Sequence, residues 1–530
     1  MNLKQAEESK NNLVYETMVG DVLNRRLIYG NWAVDKEKGL YHRNKDIVAC
    51  PVPILPSAIY RNTATGTEKV ELQLYKFGEW RKIVTDRETI SNRSKIISLS
   101  NLGVEVNSGN AGHLMNALSE IISQSLSRLP LRRSCSSLGW SGDEFIPYSG
   151  NMVFDGEEQF KSMFDSVTQK GGLEDWRRFM APLRENRVLR IMLAASFASP
   201  LVSVVGENPF ILHLWGGTSL GKTVALMCAM SVWGDPAVGH LTRTLNMTNF
   251  SMLSTAAFLN SLPFAADELQ TIKKSFGNYD NLIMQLTEGT DRARMKYDRL
   301  NYAGSWRNAF LFTGEEPCIK PGSGGGAKNR VIEIECREKI IENGNATANF
   351  VRSCYGTAGK EFIEKLDRRM VKSYYDGIFN DIVSGTSTTE KQAGAAALIL
   401  TADWLSTQQF WPEDESVLRI DDLEPYLFTE EEVDTAQRAY GYVLDLVSEY
   451  GRNFTADAAD RWGVIENYKV YFIKSVLERE LEKAGFDFNA VKAKWYQHGW
   501  LEKANDGGYR LKKRVNGTVA NTVVIYLQDK

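Results

Sequence analysis

A glycine-rich segment in the middle of the chain constrains its fold more than any other feature. Residues 216–223 read GGTSLGKT, which satisfies the pattern G-x-x-x-x-G-K-[ST]. An apolar run at 210–214 precedes the segment, and 224–230 continues it with a pattern typical of a helix. Strand, loop and helix in this order form a phosphate-binding loop, in which backbone N–H groups and the helix N-terminus bind phosphate oxygens. The sequence therefore predicts an α/β core that binds a nucleotide.

The side chains of this motif have distinct expected roles. Lys222 is expected to contact the β- and γ-phosphates, and the Thr223 hydroxyl to bind Mg²⁺. The predicted nucleotide-binding residues are Gly216, Gly217, Thr218, Ser219, Leu220, Gly221, Lys222 and Thr223. The alternative is a glycine-rich turn that fits the pattern by accident, and the flanking strand and helix argue against it. ATP and Mg²⁺ are the predicted cofactors.

Two later segments predict the rest of a hydrolytic site. The run 261–266 is largely apolar and leads into Asp267-Glu268, at the expected carboxyl end of a strand. We expect Asp267 to bind Mg²⁺ and Glu268 to polarise the attacking water. The apolar run 309–312 ends in Thr313, whose hydroxyl is expected to hydrogen-bond the γ-phosphate or that water. For both segments the alternative is an ordinary turn after a core strand.

Arg330 follows a glycine-rich stretch, 324–326, and precedes the apolar run 331–334. Ring-shaped ATPases commonly supply an arginine from this position to the nucleotide of the neighbouring subunit, where it stabilises the transition-state charge. We predict this catalytic role for Arg330, and the alternative is a surface charge.

A basic segment lies between the acidic pair and Thr313. Arg292, Arg294 and Lys296 alternate in it, so in a strand they would point to one face. Such a stripe contacts successive phosphates of a nucleic-acid strand without reading its sequence. The segment therefore predicts a DNA-binding hairpin, with a solvated edge hairpin as the alternative.

The end of the chain is basic, with 13 Lys/Arg and 8 Asp/Glu in residues 461–530. Its predicted elements are helices at 468–484 and 489–498 and strands at 509–515 and 518–527. Asn516-Gly517 between the two β-rich runs is a hairpin signal. Helices followed by a basic hairpin indicate a winged-helix domain, in which we predict DNA contacts from Lys512, Lys513 and Arg514.

The length of 530 residues predicts several domains. We predict an N-terminal α+β accessory domain (1–165), a P-loop ATPase domain (166–400), an acidic linker or helices (401–450) and the winged-helix domain (451–530). Residues 401–450 contain 13 acidic and two basic residues, which predicts a solvated linker or a solvated helix face between two domains. The accessory domain has strand-like runs at 54–60, 70–77 and 96–99 and one helix at 111–127.

Composition excludes several classes of protein. The net charge of −3 argues against a polycation, although a local basic patch still allows nucleic-acid binding. The six cysteines are scattered, without a C-x-x-C pair or zinc-ligand spacing, and are predicted to be free thiols in a reducing cytoplasm. The N-terminus carries no apolar signal, and the apolar run 191–205 is interrupted by Ser196 and Pro200. We expect a protein of the bacterial cytoplasm with no membrane partner.

Several stretches of the chain together resemble a known family. They are Leu173-Glu174-Asp175-Trp176, the segment AASFASPL at 194–201, the P-loop, and Ser231-Val232-Trp233-Gly234-Asp235-Pro236. Over about residues 100–400 they resemble the helicase-like ATPases of phages and mobile genetic elements. That group is similar to the replicative helicases of staphylococcal cassette elements and pathogenicity islands, in the minichromosome-maintenance branch of the AAA+ superfamily.

The resemblance implies an AAA+ ATPase core that forms a hexameric ring, with ATP between subunits, a DNA-binding hairpin and a C-terminal winged helix. The implied function is an ATP-dependent replicative helicase that translocates on single-stranded DNA and acts at forked DNA, with primase or other replication proteins as partners. Thr313 departs from the pattern of that branch, which usually has Asn as its sensor. A second sensor arginine is not evident; Lys391 is the nearest candidate, with a plain surface lysine as the favoured alternative. The alternatives are an ATP-regulated initiator that binds an origin, or a packaging or loading motor that does not unwind DNA.

Overall fold

The computed structural model describes residues 21–272, 279–291, 294–296, 299–301, 304–320, 322–504, 507–515 and 517–527. The chain forms two compact units, Met1–Asp165 and Ser166–Lys530. The strands of the first unit are β1 (Leu27–Tyr29), β2 (Trp32–Asp35), β3 (Gly39–His42), β4 (Val48–Cys50), β5 (Ile54–Asn62), β6 (Glu68–Lys76), β7 (Glu79–Asp86), β8 (Leu131–Cys135), β9 (Gly139–Ser141), β10 (Glu144–Ile146) and β11 (Val153–Phe154). Its helices are α1 (Arg87–Ser91), α2 (Ala111–Ser125) and α3 (Lys161–Ser166), the last of which ends at the boundary.

The second unit contains the remaining elements. Its strands are β12 (Phe210–Gly216), β13 (Thr242–Thr244), β14 (Phe264–Asp267), β15 (Arg294–Lys296), β16 (Arg299–Asn301), β17 (Ala309–Gly314), β18 (Val331–Cys336), β19 (Gly463–Glu466), β20 (Lys469–Ile473), β21 (Leu511–Val515) and β22 (Thr518–Tyr526). Its helices are α4 (Leu173–Leu183), α5 (Arg187–Val205), α6 (Lys222–Met230), α7 (Asn249–Leu259), α8 (Asp280–Thr287), α9 (Gly325–Lys328), α10 (Gly344–Val351), α11 (Thr357–Glu364), α12 (Arg368–Gly385), α13 (Glu390–Phe410), α14 (Glu430–Val433), α15 (Thr435–Glu449), α16 (Lys474–Lys483) and α17 (Phe488–Gln497). The predicted mixed α/β fold is confirmed.

The first unit combines an antiparallel sheet, β1-β2-β3-β4, with a mixed sheet in the order β11-β8-β5-β6-β7. Helix α2 buries Leu114, Leu118 and Ile121 at helical spacing in the core of this unit. The predicted strands at 54–60 and 70–77 and the helix at 111–127 are confirmed. The predicted strand at 96–99 is wrong, because Ile96–Leu102 forms a 3₁₀ helix. Only Ile96 and Leu99 are buried in it, and a spacing of three suits a helical turn rather than a strand.

The centre of the second unit is a parallel sheet in the order β13-β14-β17-β12-β18. Strand β12 lies between β17 and β18, with Leu214 opposite both Thr313 and Ile334. Strands β12 and β17 are almost continuously apolar and buried, as expected for a sheet covered on both faces. Because the strands are parallel, β12, β14 and β17 all end at the same edge, where side chains that follow them are brought together.

Helix α5 is the core helix of this unit. By length and composition it could cross a membrane, but 78% of its apolar window is buried inside the protein. An apolar surface on all sides is typical of a helix enclosed by other elements. Arg190 on this helix forms two hydrogen bonds with Asp403 on α13, Nε to Oδ1 at 2.8 Å and Nη2 to Oδ2 at 2.9 Å. The buried ion pair fixes the register of the two helices.

The acidic segment 401–450 contains helices, one of the two predicted alternatives, but it is less solvated than predicted. Its first ten residues complete the buried helix α13, and its last part forms α15, which packs in the core of the C-terminal region. The acidic side chains have specific partners there: Asp403 pairs with Arg190, and Asp434 caps α15 by accepting hydrogen bonds from the N–H groups of Ala436 and Gln437. A count of charges does not distinguish such groups from solvated ones.

The C-terminal region has a four-stranded antiparallel sheet, β19-β20-β22-β21, packed with α15, α16 and α17. The predicted β21–β22 hairpin is confirmed, with Val515 opposite Thr518. The predicted helix at 468–484 is wrong at its start, where Lys469–Ile473 forms β20. Val470 and Phe472 are buried at alternate positions, which is the period of a strand.

Candidate nucleotide site

The loop after β12 has the backbone geometry that its glycines permit. Gly216 has φ +146°, and a Cβ there would lie 2.4 Å from the Cys336 carbonyl oxygen on β18. Gly221 has φ +89° and immediately precedes α6. Neither position accommodates a larger residue without displacing backbone, since both combine an unusual φ with a close approach. The loop therefore curls at the amino end of α6, where N–H groups are free to bind an anion.

Lys222 is the first residue of α6, and its side chain is buried. Its ammonium group donates to the carbonyl oxygens of Gly216, at 2.9 Å, and Gly217, at 2.5 Å. The charge also acts on Cys336: burial raises the pKa of that thiol to about 11, and Lys222 opposes the increase. The lysine thus places its charge at the loop and at the adjacent end of β18.

The Asp267 carboxylate joins three of the predicted positions. Its Oδ2 accepts a hydrogen bond of 2.7 Å from the Thr223 hydroxyl, and its Oδ1 accepts one from the Thr313 hydroxyl. Thr223 comes from α6, Asp267 from the end of β14 and Thr313 from near the end of β17, so the convergence follows from the parallel sheet. Hydroxyl and carboxylate oxygens are ligands suited to Mg²⁺.

Glu268 lies beside this cluster but does not hydrogen-bond within it through its side chain in the described part of the chain. Its side chain is exposed, and its backbone has φ +61°, in the left-handed region. Its N–H donates to Asp267 Oδ1 at 2.9 Å. A non-glycine residue in this region costs roughly 1 kcal/mol, and such strain is concentrated at functional positions.

Gln270, which the sequence analysis missed, connects two of these segments. Its Oε1 accepts a hydrogen bond of 3.3 Å from the Glu315 N–H, and so links the turn after Asp267 to the turn after Thr313. No sequence pattern marks this glutamine, because its role depends on the adjacency of β14 and β17.

Arg330 lies at the opposite edge of the sheet. Its carbonyl oxygen accepts a hydrogen bond from the N–H of Ile211, at the beginning of β12, while Gly216 ends that strand. Five residues of strand separate the two edges by about 17 Å. Its guanidinium donates to the Gly326 carbonyl, and burial lowers its pKa, an effect that Glu288 opposes. Arg330 therefore does not approach the phosphate loop of its own chain.

Lys391, at the start of α13, shares the environment of Arg330. Partial burial and the charge of Arg330 lower the pKa of Lys391. The structure thus places two cations near each other at the amino edge of the sheet and does not bring either to Lys222.

The predicted DNA-binding segment forms a two-stranded hairpin, β15–β16, with Arg294 opposite Asn301 and Lys296 opposite Arg299. Arg294 and Lys296 occupy alternate positions of β15, as predicted, and Arg292 lies outside the described residues. The base of the hairpin is attached to the core by Trp306, which is fully buried and donates from Nε1 to the Leu286 carbonyl at 2.7 Å.

The three predicted basic residues of β21 are not equivalent. Lys512 and Arg514 are exposed and two positions apart, so they lie on one face of the strand. Lys513 points the other way, where its ammonium pairs with Glu466 at 2.6 Å and lies 4.1 Å from the centroid of the Tyr471 ring. Only the first two present unpaired charge in the part of the chain that the structure describes.

Comparison with protein families gives two matches. A family described as "Domain of unknown function (DUF927)" matches residues 29–298, slightly more than half of the chain. A second family, described as "Cch helix turn helix domain", matches residues 434–530. This second match begins at the N-cap of α15 and so includes the end of the acidic segment with the C-terminal elements. No curated protein matches the sequence.

Solved structures include one with a similar fold. It is described as "SCCmec type IV Cch - active helicase", with a TM-score of 0.67 and 18% sequence identity over 94% of this chain and 98% of that one. The apo structure of the NrS-1 C-terminal region covers 88% of this chain and 95% of that one, at 9% identity and a TM-score of 0.32, too low to inform the fold. The resemblance to staphylococcal cassette helicase-like proteins is confirmed.

Proposed function

This chain belongs to the family described as Domain of unknown function (DUF927), and from that premise we propose that it is an ATP-dependent DNA helicase of a phage or mobile genetic element. The observation that carries the proposal is the convergence of Thr223, Asp267 and Thr313 beside Lys222, at the carboxyl edge of one parallel sheet. The fold shared with a protein described as an active helicase supports it.

The donor set fits a nucleotide with its metal ion. Lys222 would move from the loop carbonyls to the β- and γ-phosphates, and the oxygens of Thr223 and Asp267 would hold Mg²⁺. When bound, Mg²⁺ neutralises charge that develops on the phosphates. Glu268, exposed beside Asp267, would accept the proton of the attacking water, and Thr313 would orient that water or the γ-phosphate.

The position of Arg330 supports a ring. An arginine at the amino edge of the sheet would serve the nucleotide of an adjacent subunit, since about 17 Å separates it from its own loop. We propose a homo-oligomer, hexameric by the resemblance, with an AAA+ core in 166–400. The parallel sheet, in which the P-loop strand adjoins the strand carrying Thr313, supports that assignment.

Two elements would contact DNA. The β15–β16 hairpin, with Arg292, Arg294 and Lys296, would follow the phosphates of a single strand and move with each hydrolysis event. The C-terminal region, whose family match is to a helix-turn-helix domain, would load or orient the DNA as a winged helix. Its exposed cations Lys512 and Arg514 support this role.

The remaining assignments follow from this function. We propose that residues 1–165 form an accessory domain, and that the protein acts at forks in the cytoplasm of a bacterial host, with primase or other replication proteins. A second candidate is an initiator that binds an origin, which the helix-turn-helix match also supports.

An unwinding assay tests the proposal. The full chain, with a forked duplex and Mg²⁺, should release the displaced strand with ATP and not without it. Lys222→Ala serves as the inactive control, because it removes the phosphate contact. ATPase activity should rise several-fold with single-stranded DNA of any sequence. Stimulation by one duplex sequence alone, without strand release, would instead identify an initiator.

A further inference from the structure

A cluster of three potential metal ligands lies in the sheet, apart from the nucleotide site. His213, in the middle of β12, is fully buried and sits opposite Glu333 of β18. Its Nδ1 lies 2.8 Å from Glu333 Oε1. Its Nε2 is buried and has no hydrogen-bond partner among the described residues. A buried imidazole with one unsatisfied nitrogen is costly unless another group satisfies it.

Cys318 completes the cluster from the segment after β17. Its side chain is buried, and its N–H donates to Glu333 Oε1 at 2.6 Å. Ligand atoms from His213, Cys318 and Glu333 all lie within 4.8 Å of one another. Three ligands from three separate segments are therefore close enough to bind one ion.

The cluster holds a carboxylate that is almost buried. The Glu333 side chain is only 10% exposed, and the described residues provide it with His213 as an ion-pair partner but with no lysine or arginine. The Cys318 side chain is buried beside it, and Cys318 is a free cysteine. A buried carboxylate is stable only when it is compensated, and a divalent cation would compensate both a carboxylate and a thiolate.

We propose that His213, Cys318 and Glu333 bind one divalent transition-metal ion, with Zn²⁺ as the natural occupant. Imidazole, thiolate and carboxylate are zinc ligands, and the thiolate disfavours Mg²⁺ and Ca²⁺. Binding exchanges the thiol proton for a sulfur–metal bond, so one proton is released to solvent for each ion bound.

The surroundings allow an entry path for an ion. A cleft of about 490 Å³ is lined by Trp215, Glu333 and Phe428, among others, and it connects the carboxylate to solvent. Gly314 packs against the Nε2 side of the imidazole, where a Cβ would lie 3.0 Å from Nε2, so the ring faces Glu333 with Nδ1. The ion would connect β12 to β18 and to the segment after β17. Its ligand on β12, His213, lies three residues before Gly216, where the phosphate loop begins.

Cobalt spectroscopy of the full chain tests the proposal. The tag-free protein is stripped with a chelator and titrated with Co²⁺ in the presence of saturating Mg²⁺ and ATP. We expect a thiolate-to-cobalt absorption band in the near ultraviolet that saturates at one ion per chain and disappears when Zn²⁺ is added. Cobalt bound through oxygens alone, as at Thr223 and Asp267, gives no such band. Absence of the band from the folded wild-type chain would overturn the proposal.

Matched variants assign the ligands. Cys318→Ser should abolish the band and lower the zinc content of the purified protein at least tenfold, whereas Cys354→Ser, at another buried free cysteine, should leave both unchanged. A band that persists in Cys318→Ser would place the ion elsewhere and overturn the assignment. If Cys318→Ser does not fold, the wild-type titration still decides, and His213→Asn and Glu333→Gln then test the other two ligands.

Discussion

The two edges of the five-stranded parallel sheet carry opposite chemistry. The carboxyl edge gathers Thr223, Asp267 and Thr313 into one hydrogen-bonded group beside Lys222. The amino edge holds the cations Arg330 and Lys391, each of which has a pKa lowered by burial. Both edges belong to the same strands, yet the length of a strand keeps them apart. In the proposed ring, the amino edge of one chain would complete the site at the carboxyl edge of the next.

The largest expected effect is that of a substitution at the amino edge of the sheet. Arg330→Ala should lower the ATPase rate by about 10³-fold, the scale of an arginine finger, while ATP binding by the same chain stays unchanged. Its matched control is Arg337→Ala, which removes an exposed arginine paired with Glu335 near the other edge. Full ATPase activity in Arg330→Ala would show that the amino edge has no catalytic role.

Mixing two inactive variants tests whether Arg330 acts on the nucleotide of a neighbouring subunit. Arg330→Ala and Lys222→Ala are each expected to be inactive alone, but an interface between one protomer of each kind can combine an intact loop with an intact arginine. Equimolar mixtures should regain part of the wild-type ATPase rate. As a control, Arg330→Ala is mixed with a chain that carries both substitutions. This mixture should not regain activity, because neither chain supplies the arginine.

The next effect concerns the carboxyl edge. Glu268→Gln should bind ATP as the wild type does and lose turnover by about 10²- to 10³-fold, since a general base is removed without a change of shape. Binding is measured with a fluorescent ATP analogue and turnover by phosphate release. The control is Glu315→Gln, at the exposed turn after Thr313. Wild-type turnover in Glu268→Gln would refute its assigned role.

A smaller effect separates the DNA-binding hairpin from both edges. Neutralising Arg292, Arg294 and Lys296 together should abolish stimulation of the ATPase by single-stranded DNA and leave the basal rate within about twofold. A plot of the logarithm of DNA affinity against the logarithm of salt concentration should also become less steep. The loss of three phosphate contacts should reduce its slope by about 2. ATPase rate against DNA concentration at several salt concentrations measures both. If single-stranded DNA stimulates the variant as much as the wild type, the hairpin does not contact DNA and is only a solvated edge.

The smallest effect compares neighbouring residues of β21. The double variant Lys512→Ala/Arg514→Ala should bind forked DNA roughly tenfold more weakly. This corresponds to about 0.7 kcal/mol for each of the two exposed phosphate contacts. Lys513→Ala should change DNA affinity by less than about twofold, because that ammonium is already paired with Glu466. Equal losses in the two variants, measured by fluorescence anisotropy, would contradict this division.

Contiguous features were predictable from the sequence, because each depends on neighbours along the chain. The loop at 216–223 carries its own strand and helix, and Asn516-Gly517 marks its own hairpin. Features that depend on tertiary contact were not predictable. The charges of the acidic segment 401–450 do not indicate that Asp403 is buried against Arg190. The apolar run at 96–99 is too short to distinguish the period of a helix from that of a strand.

The same limit applies to the candidate sites. Asp267 was expected from its strand, but its simultaneous bonds to Thr223 and Thr313 depend on the order of three strands. The spacing of the cysteines indicated free thiols and no metal site. His213, Cys318 and Glu333 are far apart in the sequence and meet only because β18 pairs with β12.

The hydrogen bonds from Lys222 to its own loop bear on the speed of nucleotide exchange. An ammonium group left bare in a buried pocket would bind the departing ADP strongly and delay its release. Here the carbonyls of Gly216 and Gly217 accept hydrogen bonds from the ammonium, so the resting loop compensates the charge itself and, in the proposed ATPase, would favour release of ADP. The same bonds must break when ATP enters, so part of its binding energy is used to open the loop. A lower affinity with faster release would suit the proposed motor, which has to exchange nucleotide at every step.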